Sequence, residues 1–467
     1  MNTRELSYLG VPKDLIQQVQ QAIGQWVASD EGKINKTRMM QKISSLIKKP
    51  QDFVDDIYFG PVAQTLCDDR QVQSVFVPRP QPAGYQQWGS DLEPQAIQQM
   101  DKACHLPIAV CGALMPDAHV GYGLPIGGVL ATDNAVIPYA VGMDIACRMK
   151  MTVLDLPVTA LTGQADRLTN ALEAETRFGV GATFRKRREH EVMDEDWSFS
   201  PMVSRHKDKA WSQLGTSGSG NHFVEFGTLT LEQDDLGLKA GTYLALLSHS
   251  GSRGTGNEIA THFSKLATLM HSELPKELTH LAWLDMSSPE GQEYWQAMQL
   301  MGRYAAANHK LIHQYITKNL KAKVLLDVEN HHNFAWKEMH QGREVIVHRK
   351  GATPAGNGVL GIIPGSMGTP GYVVRGKGNP VSLNSASHGA GRKMSRKAAK
   401  ETLTWHDAKK FLSDQGVLLL SAGLDEVPMA YKDIQEVMAA QHDLVVPVAR
   451  FDPKIVKMAP AGEAPED

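Results

Sequence analysis

Residues 243–254 read Tyr-Leu-Ala-Leu-Leu-Ser-His-Ser-Gly-Ser-Arg-Gly, an apolar run that leads directly into a polar turn containing glycine. Short apolar runs bounded by turn residues are typical of buried strands that feed loops. The same pattern occurs at residues 129–131 and 324–328, while helical patterns occupy 257–274, 290–320 and 392–403. This mixture predicts an α+β fold with mixed β-sheets flanked by helices.

The composition is that of a folded protein. The chain has 467 residues, of which 42% are hydrophobic and 21% are charged, and this excludes disordered, collagen-like and coiled-coil proteins. The net charge of −3 means that any nucleic acid must be bound by a local basic groove. The sequence starts without the apolar segment of a secretory signal and contains no run of eighteen apolar residues, so we expect a cytoplasmic protein without a membrane span.

The chain divides at a proline-rich stretch. From Leu15 to about Lys49 apolar residues recur at helical spacing, and Pro78, Pro80 and Pro82 then mark a loop. No repeat period is visible, and the residues of chemical interest are spread from Asp117 to Lys457. We therefore predict a mainly helical N-terminal segment at 1–80, one large catalytic domain at 81–457 and a disordered tail at 458–467.

Two segments resemble standard nucleotide-binding motifs, but neither motif is complete. Residues 371–378 begin like a P-loop, but Gly378 replaces the magnesium-binding hydroxyl residue and Asn379-Pro380 blocks the helix that should follow. Residues 356–361 match GxGxxG but lead into Ile362-Ile363-Pro364 instead of a helix. A glycine-rich loop of another shape could still bind a phosphate.

Five potential metal ligands lie in polar turns. Asp144 and Cys147 are three residues apart, a spacing that lets both point at one ion, although a core thiol and a capping carboxylate would look the same. His222, His249 and His332 each lie in a glycine- or asparagine-rich segment, where an ordinary hydrogen-bonded histidine is the alternative. Together the five side chains suffice for two divalent ions that share a thiolate, an arrangement suited to phosphoryl chemistry.

Other segments suit a nucleotide. The turn 364–369, Pro-Gly-Ser-Met-Gly-Thr, could wrap phosphate oxygens, or could be an ordinary turn. His388 precedes glycines and a basic helix start, and a neutral imidazole there could attack phosphorus. In Asp117-Ala-His119 we favour Asp117 as a carboxylate that orients a histidine and His119 as a structural residue.

Two basic clusters could bind a nucleic-acid backbone. One comprises Arg392, Lys393, Arg396, Lys397 and Lys400, and the other is residues 185–188, Arg-Lys-Arg-Arg. A charge run is more often a solvated face, but beside a phosphate site it favours a groove for RNA or DNA.

Together, the motifs from about Met115 to Lys457 resemble the RtcB family of GTP-dependent RNA ligases. The resemblance implies a single large catalytic domain, and a reaction that joins a 3′-phosphate or 2′,3′-cyclic phosphate RNA end to a 5′-hydroxyl end. It also implies two Mn²⁺ ions and GTP. Ligand chemistry alone would favour zinc for Cys and His, so manganese depends on the resemblance.

The resemblance further implies a role for each site residue. Asp144, Cys147 and His222 would bind one manganese ion, and Cys147, His249 and His332 the second. His388 would be guanylylated by attack on the α-phosphate of GTP, with Asp117 positioning it. GMP would pass to the RNA 3′-phosphate, and the 5′-hydroxyl would then displace it. The implied GTP-binding residues are Asn221, Glu225, Asn333, Gly365, Ser366, Met367, Gly368 and Lys457.

The chain departs from the family pattern where many members have Gly-Val-Asp-Ile-Gly-Cys-Gly-Met. This chain reads Gly-Met-Asp-Ile-Ala-Cys-Arg-Met at 142–149, and we expect Arg148 to add a bulky cation beside the metal ligands.

Two other functions are compatible with the same residues. One is a two-metal phosphohydrolase acting on RNA ends, which would need the five ligands but not His388. The other is a non-catalytic protein that binds RNA ends. The substrate could be tRNA halves, damaged ribosomal RNA, another nicked RNA or a DNA end, and an activating protein partner stays an open question.

Overall fold

A computed structural model describes residues 1–29, 34–72 and 76–462 of the chain. These residues form two compact units, Met1–Val77 with Lys265–Thr279, and Pro78–Ser264 with His280–Asp467. Most of the tail predicted to be disordered, residues 463–467, lies outside the described residues, whereas Met458 is the last residue of a strand. No helix in the described ranges is both long and apolar enough to cross a membrane.

The first unit is helical, in agreement with the periodicity from Leu15 to Lys49. Its helices are α1 (Thr3–Tyr8), α2 (Ile16–Ala28), α3 (Lys36–Lys48) and α4 (Gly60–Val72). Val19, Ile23 and Trp26 lie on one face of α2 and are buried in its core, where Trp26 meets Phe59 edge to face.

The second unit begins with an irregular proline-rich stretch and then alternates helices and strands. Its helices are α5 (Pro94–Cys104), α6 (Pro138–Val141), α7 (Ala160–Gly163), α8 (Ala165–Glu175), α9 (Pro201–Gln213), α10 (Arg253–Met270), α11 (Pro289–Asn319), α12 (Arg396–Thr402), α13 (Trp405–Asp414) and α14 (Ile434–Ala440). Its strands up to the middle of the chain are β1 (Tyr85–Gln87), β2 (Ala109–His119), β3 (Ile126–Thr132), β4 (Ala135–Val136), β5 (Arg148–Leu154), β6 (Phe223–Leu231), β7 (Gly241–Ser250), β8 (Leu284–Asp285) and β9 (Val324–His331). The later strands are β10 (Asn333–His340), β11 (Arg343–Lys350), β12 (Ala352–Pro354), β13 (Leu360–Ile363), β14 (Gly371–Gly376), β15 (Ser385–Ser387), β16 (Leu418–Ser421) and β17 (Val445–Met458). The predicted α+β class is confirmed.

Two large sheets carry the site. One has the order β1-β2-β3-β11-β10, and the other has the order β13-β14-β17-β6-β7-β5-β9 with β16 added beside β17. The edge strands β9 and β13 of the larger sheet are bridged by the side chain of Asn330, which accepts a hydrogen bond from the Ile362 N–H (2.9 Å) and donates one to its carbonyl oxygen (3.4 Å). This sheet is therefore nearly closed.

Side chains alternate between the two faces along each strand, so one face of the larger sheet packs in an inner apolar core and the other packs against an outer layer of helices. On β7, Ala245 and Leu247 pack inside the larger sheet, whereas Leu244 and Leu246 pack in the cluster that includes Ile312 of α11. The chain passes from the larger sheet to the five-stranded one through a single residue, His332, which lies between β9 and β10.

Candidate active site

The five predicted metal ligands converge at one end of the larger sheet. Register places Met149 and Phe223 opposite His249, and Arg148 opposite His331, so Cys147, His222 and His332 come together beside the end of β7. The Sγ atom of Cys147 lies 3.0 Å from Nε2 of His249 and 3.3 Å from Nε2 of His222.

These side chains form two groups that share one thiol. Asp144, Cys147 and His222 have ligand atoms within 4.8 Å of one another, and so do Cys147, His249 and His332. Nε2 of His222 lies 3.0 Å from Oδ2 of Asp144, and Nε2 of His249 lies 3.1 Å from Nε2 of His332.

Burial keeps two of the histidines neutral, which is the form that binds metal. Burial lowers the pKa of His249 to about 3 and that of His332 well below its ordinary value, and the nearby rings of His222 and His388 lower both further. Burial alone would raise the pKa of Asp144, but its hydrogen bond to His222 lowers the pKa below the ordinary value. Nδ1 of His332 is buried without a hydrogen-bond partner among the described residues. Three imidazoles, a carboxylate and a cysteine sulfur that converge in this way fit two divalent cations.

A second layer of contacts holds the ligands in place. Nδ1 of His249 donates to the carbonyl oxygen of Asn221 (3.2 Å), and Oδ1 of Asp144 accepts from the N–H of Ser252 (3.0 Å). Gly251 is required here because a Cβ atom would lie 2.2 Å from the carboxylate of Asp144. The guanidinium of Arg253 lies 3.1 Å from Nδ1 of His222. Sequence reasoning gave Arg253 no role, although it follows His249 by four residues.

His388 is held by Asp117 at the end of β2. Oδ2 of Asp117 lies 2.7 Å from Nδ1 of His388 and accepts the N–H groups of His388 and Gly389 (3.1 and 3.3 Å). Burial would raise the pKa of Asp117, but its electrostatic interaction and hydrogen bond with His388 lower it below the usual value. Because Nδ1 faces the carboxylate, we assign its proton there, which leaves Nε2 with a free electron pair.

Two residues close in sequence to His388 and Asp117, namely Gly391 and His119, have structural roles. Gly391 has φ +73°, and a Cβ atom on it would lie 2.1 Å from the carbonyl oxygen of Asp117, which accounts for a glycine in the His-Gly-Ala-Gly segment. Nδ1 of His119 donates to the Asp117 carbonyl oxygen (3.1 Å), and burial lowers the pKa of His119 to about 4.

His388 and four of the five predicted metal ligands line one cavity of about 620 Å³, a volume suited to a nucleotide. The rings of His388 and His332 are 5.0 Å apart. Of the predicted residues, those that line the cavity are Asp144, Cys147, Asn221, Glu225, His249, His332, Asn333, Gly365, Ser366, Met367 and His388. His222 and Asp117 lie buried behind this lining.

The predicted nucleotide-binding residues differ in how far they are free to bind a ligand. Burial raises the pKa of Glu225 well above its ordinary value. The amide of Asn333 already bonds the N–H of Gly351 (2.8 Å) and the carbonyl oxygen of Asp144 (3.3 Å). In the turn 364–369, Thr369 Oγ1 accepts the N–H of Ser366 (2.7 Å), and the Gly368 N–H lies 3.4 Å from Ser366 Oγ.

Lys457 is not brought to the cavity. Its neighbours Val456 and Met458 line the cavity, whereas the ammonium of Lys457 forms an ion pair of 2.6 Å with Glu173 of α8. Alternation along β17 therefore places Lys457 on the opposite face of the sheet.

Arg148 also points away from the metal ligands. It lies on the face of β5 that carries α11, where it donates to the carbonyl oxygen of Gly302 (3.1 Å) and pairs with Glu329 (3.3 Å). The expectation of a bulky cation among the ligands was wrong, because Arg148 and Cys147 are adjacent in the chain and face opposite sides of the sheet.

The two basic clusters have different surroundings. Arg392, Lys393 and Arg396 line the cavity, and the two arginines pair with Glu426. In the second cluster Arg188 is buried, pairs with Glu175 (3.0 Å) and lies over the rings of Phe184 and Tyr315, so it supports the fold and not a groove.

Lys350 is a further cation in the cavity that sequence reasoning missed. It is buried, and burial lowers its pKa to about 7. It precedes Gly351, whose Cβ position would lie 3.1 Å from Cε1 of His388. The signal available in the sequence was the position of Lys350 as the last residue of the strand 343–350.

Comparison with known proteins identifies the family. The family model described as tRNA-splicing ligase RtcB matches residues 99–458. The RNA-splicing ligase RtcB of Escherichia coli K12 is 34% identical over 390 residues, which cover 76% of this chain and 92% of the relative. The tRNA-splicing ligase RtcB of Nanoarchaeum equitans is 32% identical (73% and 87% covered), and the RNA-splicing ligase RtcB of Mycobacterium tuberculosis is 33% identical (73% and 94% covered). With its predicted metal ligands and its Asp117–His388 pair gathered around one cavity, the chain belongs to the RtcB family.

Proposed function

We propose that the protein is an RNA ligase that joins a 3′-phosphate or 2′,3′-cyclic phosphate end to a 5′-hydroxyl end, with GTP as co-substrate and two manganese ions as cofactors. The observation that carries this proposal is that His388 and the paired metal ligands face the same nucleotide-sized cavity. A nucleophile beside a metal cluster is what transfer of a nucleotide requires, whereas hydrolysis would need the cluster alone.

His388 begins the reaction. Its Nε2 electron pair attacks the α-phosphorus of GTP, a P–N bond forms, and the bond between the α-phosphorus and the bridging oxygen breaks so that pyrophosphate leaves. Asp117 keeps the Nδ1 proton in place and stabilises the positive charge that the ring acquires. A 2′,3′-cyclic phosphate end must first be opened by water to a 3′-phosphate. An oxygen of the 3′-phosphate then attacks the phosphorus of the bound GMP, and the P–N bond to His388 breaks. The 5′-hydroxyl of the second RNA end finally attacks the activated 3′-phosphorus, a phosphodiester bond forms, and GMP leaves.

Asp144, Cys147, His222, His249 and His332 would hold the two ions, which would neutralise phosphate charge during these transfers. The cavity suits GTP because Asn221, Glu225 and the turn 365–367 line its wall beside His388. The cations Arg392 and Lys350 are placed to bind phosphate groups of GTP or RNA.

The decisive experiment is covalent labelling with GTP that carries ³²P at the α-phosphate, in the presence of Mn²⁺. We expect an acid-labile, alkali-stable adduct on the native chain and none on His388→Ala. His442→Ala, a histidine exposed outside the cavity, is the matched control and should label normally. Equal labelling of the native chain and His388→Ala would contradict the nucleophile.

A ligation assay with paired 3′-phosphate and 5′-hydroxyl RNA ends completes the test. Joined product that depends on both GTP and His388 is expected. Release of inorganic phosphate without joined product would instead identify a phosphohydrolase, and binding without either product would identify a protein that only recognises RNA ends.

A further inference from the structure

One aromatic side chain near the cavity is unusually exposed. Tyr122 lies in the loop between β2 and β3 and is 68% exposed. Among the phenylalanine, tyrosine and tryptophan side chains of residues 1–29, 34–67 and 76–462, it is the only exposed one. An isolated exposed tyrosine in the wall of a binding cavity calls for a functional explanation, because aromatic rings are normally buried at least in part.

The loop that carries Tyr122 is fixed by hydrogen bonds on both sides. The side chain of Gln99 donates to the carbonyl oxygen of Gly121 (2.5 Å) and accepts its N–H (3.0 Å), and Glu93 accepts the N–H of Val120 (3.2 Å). The ammonium of Lys350 donates to the carbonyl oxygen of Tyr122 (2.5 Å). The ring is therefore exposed although its backbone is held, and its position is set before any ligand arrives.

Two further rings support Tyr122 from behind. The ring of His280 lies 5.7 Å from that of Tyr122 in an edge-on arrangement and 4.5 Å from that of Tyr139. Tyr122 and Tyr139 both line the cavity that contains His388. Lys350 joins this aromatic group to the site, since it contacts Tyr122 and precedes Gly351 beside His388.

We propose that Tyr122, backed by His280 and Tyr139, is a platform on which the base of the terminal nucleotide of the RNA substrate stacks. Aromatic faces accept any base, so the platform would position RNA ends without reading their sequence. The cation of Lys350 beside the platform suits the phosphate attached to that nucleotide. The inference rests on the proposed ligase function and adds to it the part of the site that holds the RNA end.

The test compares Tyr122→Ala, Tyr122→Leu and Tyr122→Phe in the full chain. Val180→Ala, at an exposed position (57%) outside the cavity, is the matched control. Stacking on one aromatic ring predicts that Tyr122→Ala raises the KM for RNA between about fivefold and a hundredfold. Tyr122→Phe should stay within about twofold of the native chain, and Tyr122→Leu should resemble Tyr122→Ala because a branched alkyl group fills space without a π face.

Two readouts separate stacking from a structural role. RNA carrying 2-aminopurine at the 3′-terminal or the 5′-terminal nucleotide should lose fluorescence on binding to the native chain, and Tyr122→Leu should abolish that loss. Labelling of His388 by GTP should be unchanged in all four variants. An unchanged KM for RNA in Tyr122→Ala, no quenching at either end, or a raised KM for GTP would overturn the platform. Absence of GTP labelling in the native chain would instead overturn the proposed function.

Discussion

Oδ2 of Asp117 lies 2.7 Å from Nδ1 of His388 and also accepts the backbone N–H groups of His388 and Gly389. A single carboxylate oxygen thus fixes both the imidazole ring and the loop that carries it. Asp117 lies two residues before the end of the long strand β2 in the five-stranded sheet, so the direction of the His388 ring is set by a rigid element.

Replacement of Asp117 by Asn should separate the effect of charge from that of shape. The amide oxygen can still accept the backbone N–H groups, but the negative charge that stabilises a cationic ring is lost. We expect labelling of His388 by GTP to slow by about 10²-fold while metal content stays normal. Single-turnover labelling rates and metal analysis measure the two effects, and a labelling rate within twofold of native would remove the positioning role of Asp117.

Cys147 belongs to both metal groups, so its loss should affect two ions at once. Cys147→Ser should lower bound Mn²⁺ below one ion per chain, whereas His222→Ala should lose one ion and His332→Ala the other. Isothermal titration of the apoprotein with Mn²⁺ gives the stoichiometry. Cys111→Ser, a partly buried thiol outside the site, is the control, and retention of one full site in Cys147→Ser would argue against a shared ligand.

Glu225 should make the empty protein less stable as the pH rises. Its pKa is raised in the folded state by burial, so above the unfolded pKa near 4.5 the unfolded chain loses the proton first and the folded state loses stability. The slope approaches about 1.4 kcal/mol per pH unit until the folded pKa is reached. Urea unfolding of Glu225→Gln without metal or GTP should lack this contribution, and identical pH profiles for both proteins would contradict it.

Arg148 should matter for stability and not for metal binding. Replacement by Gly removes the bonds to Gly302 and Glu329 and weakens β5, at a cost of about 1–3 kcal/mol in the free energy of unfolding. The Mn²⁺ stoichiometry should stay that of the native chain, because the guanidinium lies on the opposite face from Cys147. Arg148→Lys serves as the charge-conserving comparison, and loss of an ion from Arg148→Gly would show that the two faces are coupled.

Lys393 is exposed and lines the cavity, which makes it a candidate for contact with an RNA phosphate. Lys393→Ala should weaken RNA binding for all sequences alike and reduce the slope of log affinity against log salt by about 1. Lys239→Ala, in the loop before β7, should leave the slope unchanged. Fluorescence measurements of RNA binding at several salt concentrations give the affinity and the salt slope of each variant. Equal slopes for the native chain and Lys393→Ala would exclude a phosphate contact.

Sequence patterns predicted the fold class and the convergence of the metal ligands because both depend on local rules. His249 and His332 follow apolar strands, and strand ends gather side chains at one edge of a sheet. The residues at which helices begin were harder to predict from the sequence. The helix expected at 257–274 begins at Arg253, because Gly254 and Gly256 weaken the helical pattern of its first turn. The helix expected from 392 begins at Arg396, where Ser395 caps it by accepting the N–H of Ala398 (3.1 Å).

What the sequence could not show is which face of a strand a residue occupies. Lys457 was placed at the site by the family resemblance and Arg148 by its neighbour Cys147, yet each points to the other side of its strand. Assigning a face requires the strand register, which depends on pairing between residues far apart in sequence. Lys350 and Tyr122 were missed because their contact with each other, and the approach of Gly351 to His388, arise only when the sheets assemble.

His332 is the single residue that separates β9 from β10, and therefore the point at which the chain leaves one sheet and enters the other. Any opening between the two sheets must change the backbone torsions of this proposed metal ligand. Binding of the proposed ions would therefore be thermodynamically linked to the closed arrangement of the sheets, so that bound ions would restrain opening of the cavity and an opened cavity would release them.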